Sequence, residues 1–159
     1  MTSIGPLLAS LKLSGLSGSL KYLNLSTNKI QAEDESFKVK LCALLRLARG
    51  LQVLRLHKTW IHAVTKDEAT HLKQIELSQA IVDALCESES APHLKAIEIM
   101  MPTVMTWTSA YRLEKSLPKL ESLDIYCLGI VRADDRVEID AFLAHFAAKG
   151  KRASCQQIV

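Results

Sequence analysis

The sequence predicts an α/β fold: a solenoid curved into a horseshoe arc, with short parallel β-strands on the concave face and α-helices on the convex face. Three observations predict it. Leucine occurs 25 times in 159 residues, while aromatic residues make up only 5%. A Leu-x-x-Leu-x-Leu spacing returns four times. The stretches between returns carry apolar residues at helical spacing. The length suits one domain with a sizeable core, so residues 1–159 are expected to form a single domain of about four to five repeats, with residues 1–19 a degenerate N-terminal half-repeat.

The elements follow in chain order. Pro6 to Leu13 reads as a helix fragment and Gly15 to Ser19 as a loop. Leu20, Leu23, Leu25, Asn28 and Ile30 then match every position of the template L-x-x-L-x-L-x-x-N/C-x-L. Its Leu-x-Leu core is a strand with alternate residues inward. Phe37, Leu41, Leu44, Leu45 and Ala48 place a helix over Ser36 to Ala48, with Gly50 where it would end. Leu51, Leu54, Leu56 and Ile61 repeat the template, with Thr59 at the Asn position.

From Thr65 to Ser88, Leu72, Ile75, Ile81, Ala84 and Leu85 form a second helical stripe, and Thr65 with Glu68 resembles a capping box. Leu72, Ile75 and Leu77 also fit the strand template, so residues 66–77 are either helix or an extra short repeat. Unbroken helical spacing from Glu68 to Leu85, without Gly or Pro, favours the helix. Leu94, Ile97, Ile99 and Val104 give the third match, with Pro102 at the Asn position. A weaker helix follows near Ser109 to Leu117. Leu120, Leu123, Ile125 and Ile130 give the fourth match, with Leu128 at the Asn position. Asn can satisfy backbone groups where the chain leaves a strand. Pro102 and Leu128 cannot, so packing is expected to hold those turns. A last helix runs from Asp134 to Lys149, its acids and Lys placed to suit the helix dipole, and Gly150 stops it. Ser154 to Val159 reads as a fifth strand.

The four matches, whose starts lie 31, 43 and 26 residues apart, resemble the ribonuclease-inhibitor-like class of leucine-rich repeat over roughly Leu20 to Val159. The resemblance implies the fold above and a protein-binding concave face. It does not choose among interaction modules, subunits of larger assemblies, and specificity domains of receptors, ubiquitin-ligase adaptors or effectors. Neither end carries an obvious polar cap, which points to a neighbouring subunit or missing flanking repeats.

The pattern argues against catalysis. His57, His62, His71, His93 and His145 are scattered, with no recognised zinc spacing. Cys42 and Cys86 read as small core residues; Cys127, read as following the fourth strand, and Cys155, opening the fifth, fall where two thiols can approach, a pair of reduced thiols being favoured over a metal or redox pair. There is no GxSxG elbow, and Gly15 to Ser19 lacks a P-loop Lys. Glu98 and Asp124 fall one strand apart, but no pocket is implied around them. No cofactor, no metal and no enzyme activity are expected.

A net charge of +3 is too weak to argue for nucleic acid, and no apolar run suits membrane insertion. A poor secretory signal and four Cys without CxxC pairing imply a cytoplasmic or otherwise intracellular chain, an organelle not being excluded.

The expected functional surface is the outward side of the strands. It comprises Tyr22, Asn24 and Ser26; Val53, Arg55 and His57; Ala96, Glu98 and Met100; and Ser122, Asp124 and Tyr126. Tyr, Met and Arg are enriched at interface centres, and mixed charge suits a protein or peptide rather than a nucleic-acid backbone. Tyr22, Asn24, Arg55, His57, Glu98, Met100, Asp124 and Tyr126 are the candidate contacts of a non-catalytic scaffold. Lys38, Lys40, Arg46 and Arg49 form a basic helix face, and Trp60 and Trp107 are placed in loops after the second and third strands.

Overall fold

In a computed structural model, Pro6, Ala9, Ser10 and residues 18–25, 35–56, 68–87 and 91–158 are described. Strands and helices alternate: β1 (Tyr22–Asn24), α1 (Glu35–Leu47), β2 (Val53–Arg55), α2 (Glu68–Cys86), β3 (Ala96–Pro102), a 3-10 turn (Thr103–Met105), α3 (Thr106–Ser116), β4 (Ser122–Leu128), α4 (Ala133–Ala148) and β5 (Arg152–Ile158). The strands form one five-stranded sheet, all parallel, in the order β1-β2-β3-β4-β5. Parallel neighbours need a crossover, and each helix supplies one.

Register explains the leucine spacing. Leu23, Leu54, Ile97, Leu123 and Ala153 stand side by side on five strands. Ile99, Ile125 and Cys155 form the next inward row, and Leu25 and Leu56 are buried alongside. The leading template leucines Leu51, Leu94 and Leu120 are buried just before their strands. The closing template residues are not: Val104 and Ile130 are 56% and 81% exposed, so the apolar template stops short of its last position in these repeats. Asn28, Ile30, Thr59 and Ile61 lie outside the described residues, as does Thr65 of the expected capping box.

The helices cover the inward side. α1 buries Phe37, Leu41, Leu44 and Leu45, as the spacing predicts. Residues 68–77 belong to helix, so no extra strand forms there. The buried stripe of α2 runs through Gln74, Leu77, Ser78, Ile81 and Leu85. Leu72, at 53% exposure, and half-buried Ile75 lie off that stripe. Apolar spacing located the helix but overstated its buried face, because two polar residues occupy the line of contact. α3 starts at Thr106, three residues before the expected Ser109, and so takes Trp107 into its first turn instead of a loop. α4 buries Ile139, Phe142 and Phe146, the two rings meeting edge-on at 6.1 Å.

Two glycines act by different means. Gly150 has φ +69°, and the bonds Gly150 N–H to Ala147 O and Lys151 N–H to Phe146 O close α4 as a Schellman motif. Gly50 is required for space: a Cβ there would meet the Gly18 carbonyl oxygen at 2.0 Å.

Ion pairs link each helix to the next. Arg46 of α1 holds Glu87, directly after α2, through two bonds of 2.7 Å, Arg112 of α3 pairs with Asp83 of α2, and Lys149, directly after α4, reaches Glu114 of α3 at 3.0 Å. The two pairs with both side chains exposed, Arg46–Glu87 and Arg112–Asp83, contribute little alone. Of the expected basic helix face, Lys38 and Arg46 are thus paired, Lys38 with Glu35 at 2.6 Å.

Candidate interaction face

The side of the sheet away from the helices carries one polar row across all five strands. Register places Asn24 beside Arg55, Arg55 beside Glu98, Glu98 beside Asp124, and Asp124 beside Ser154. Strand alternation aims these side chains to one face, and parallel strands without bulges keep them level.

Arg55 is the pivot. Its Nη1 donates to the Tyr22 hydroxyl at 2.8 Å, and its guanidinium carbon lies 5.4 Å from the Tyr22 ring centroid. Its Nε sits 2.7 Å from Glu98 Oε1 but makes no hydrogen bond among the described residues, so that contact is an ion pair without alignment. On the other side, Ser154 donates to Asp124 Oδ1 at 2.6 Å, and Arg152 lies 3.6 Å from Asp124 Oδ2 while donating to Ser122 Oγ at 2.9 Å. Two carboxylates on neighbouring strands are therefore flanked by one arginine each. Burial raises the Tyr126 phenol above its ordinary value, and the carboxylates of Glu98 and Asp124 add to the shift.

Tyr22, Asn24, Arg55, Glu98, Asp124 and Tyr126 share this face. Met100 is a correction. Its parity places it on the same side, paired with Tyr126, yet it is only 3% exposed. Alternation assigns a side of the sheet and carries no information about what covers a residue there. His57, Ser26 and Trp60 lie outside the described residues. Arg152, Ser154 and Gln156 of β5 extend the face and were missed, because the strand begins two residues before Ser154 in a stretch without leucine.

Cys127 lies within β4, not after it, and its thiol meets that of Cys155 on β5. The Cys155 thiol, with the Thr106 hydroxyl 3.4 Å away and the Arg136 charge, brings Cys127 down to about 7; the same contact and burial push Cys155 up. Both are free thiols. Among the described residues no cluster of three metal-ligating side chains forms, and no helix is long and apolar enough to cross a membrane. His93 meets Lys119, and His145 meets Glu114; His62 lies outside the described residues.

Comparison with family models, with curated proteins and with solved structures gives no match.

Proposed function

We propose that the chain is a leucine-rich-repeat solenoid and a non-catalytic, intracellular protein-binding module that takes a peptide or folded protein on its concave sheet face. One observation carries the reading: the level row Asn24, Arg55, Glu98, Asp124 and Ser154, which holds fixed charges of both signs in a pattern. Prepaired side chains lose little freedom on binding, and mixed charge, one arginine beside two adjacent carboxylates, selects a complementary protein over a polyanion. Four free thiols suit a reducing compartment.

The test is selection of a displayed random-peptide library on the immobilised chain. Peptides enriched on the wild type should lose binding to the Arg55→Glu and Asp124→Lys variants while both variants keep the wild-type circular dichroism spectrum. Equal binding to wild type and variants would remove the face from consideration.

A second reading has its own support. β5 pairs only with β4 among the described residues, and its inward Ala153 and Cys155 are half-buried. An open strand edge is a template for another chain, which suits a structural subunit held through its ends. Light scattering after size exclusion separates the readings: concentration-dependent self-association favours the subunit, a monomer the binding module.

A further inference from the structure

Beyond the sheet face, an open cavity of about 500 Å³ lies where the chain enters β3, β4 and β5. Its size falls in the usual range for small-molecule sites. Four of its lining residues are lysines: Lys95, Lys119, Lys149 and Lys151. They arise from repetition. Lys95, Glu121 and Lys151 each directly precede their strand's first residue, and the register of those residues, Ala96, Ser122 and Arg152, sets the three side by side. Two residues earlier in each unit stand His93, Lys119 and Lys149. The entry backbone is pinned, Lys95 O accepting from Glu121 N–H at 2.8 Å and Glu121 O from Arg152 N–H at 2.8 Å.

The charges do not cancel. Glu114 holds Lys149 at 3.0 Å and Lys151 at 2.9 Å, which fixes two ammonium groups at the wall. Lys119 Nζ lies 3.1 Å from His93 Nδ1, a neutral acceptor when unprotonated rather than a counter-ion. Among the described residues, two carboxylates, Glu114 and Glu121, stand against the four lysines. Lysine binds phosphate as a point charge. Two strand spacings, about 10 Å, separate the backbones of Lys95 and Lys151, with the Glu121 carboxylate between them. Phosphates are therefore favoured at the two sides and a hydroxyl donor in the middle. Pro118 and Leu120 give the cavity apolar wall for a ring, and Gly150 leaves its rim without a side chain.

We infer that this lysine-lined cavity at the entry to β3–β5 binds a sugar- or cyclitol-sized bisphosphate, one phosphate toward Lys95 and Lys119 and the other toward Lys149 and Lys151. The chemistry is shared by free metabolites and by phosphoinositide headgroups, and the test separates them. Calorimetric titrations of the full chain at low salt would use fructose 1,6-bisphosphate, inorganic phosphate, and phosphatidylcholine vesicles with and without phosphatidylinositol 4-phosphate. Fructose 1,6-bisphosphate should bind at least about tenfold more tightly than phosphate, since it gains a second set of charge-assisted bonds. Lys95→Gln and Lys119→Gln, both at solvent-facing positions, should each weaken it about tenfold. Lys40→Gln, on α1, should leave it unchanged. Binding of the phosphoinositide vesicles with the same lysine dependence would add the headgroup as a source. Absence of bisphosphate binding, binding to vesicles alone, or equal weakening by Lys40→Gln would overturn the proposal.

Discussion

Thr103 donates its hydroxyl hydrogen to the carbonyl oxygen of Leu128 across 3.0 Å, in the interior, between the turn after β3 and the end of β4. The bond joins neighbouring units at the level where the repeat template places Asn. Pro102 and Leu128 themselves lack such a side chain, and the residue after Pro102 supplies the group in their place. Thr103→Val should keep the shape and strand the carbonyl, at a cost of about 1–2 kcal/mol. Urea denaturation measures it. A change below a few tenths would mean that the turn is held by packing alone.

Glu114 gives stability a pH dependence. Its carboxyl is only 9% exposed and is drawn down from an ordinary 4.5 to about 2, chiefly by the hydrogen bond from Lys151, then by Lys149 and His145. A lowered folded-state value stabilises above the unfolded one and is lost as the carboxyl protonates. The contribution should be complete above about pH 5 and fade between pH 4.5 and 2. Solvent screening at the rim limits it to about 1–2 kcal/mol. Wild type and Glu114→Gln, compared by urea midpoint from pH 2 to 7, should converge at the acid end. A constant difference would place the effect in packing.

How much was readable in advance divides along physical lines. β1 to β4 are readable because period-two apolar residues need no tertiary information, and α2 because Glu68 to Leu85 lacks a breaker; β5, without leucine, is read only from Ser154 onward. The face membership of Tyr22, Arg55, Glu98 and Asp124 followed from the same parity. Cover and exchange of partners were not readable. Val104 and Ile130 fit the template and face solvent, Gln74 and Ser78 occupy a contact stripe that hydropathy gives to Leu72, and Trp107 reads as loop from the sequence because a 3-10 turn leads into α3 without a cap signal. The lysine rows before β3 and β5 emerge only after the register is known.

Met100 separates stability from recognition. It is paired with Tyr126 on the polar face but buried at 3%. Met100→Lys should therefore cost at least about 2 kcal/mol, because an ammonium group would be desolvated without a partner. Arg55→Glu, on a side chain 41% exposed, should cost much less. Thermal melts of the two variants check the contrast. Similar melting temperatures would restore Met100 to the contact surface.

The last prediction sets Gly50 against Gly150. At Gly150 an alanine Cβ meets nothing, so Gly150→Ala carries only the strain of a φ of +69°, about 1 kcal/mol. At Gly50 the same Cβ lies 2.0 Å from the Gly18 carbonyl oxygen, which is backbone and cannot rotate away. Gly50→Ala must push the segment leading into β1 from the segment leading into β2, where Lys21 O also accepts from Gln52 N–H at 2.8 Å. Overpacking of this kind costs about 1–3 kcal/mol. Because the displaced contact joins the first unit to the second, the damage should be local. Hydrogen exchange should quicken at β1 and β2 in Gly50→Ala while β4 and β5 stay protected; Gly150→Ala should leave β1 as in the wild type. Uniform acceleration in both variants would show that the repeats unfold as one unit, with no separable first interface.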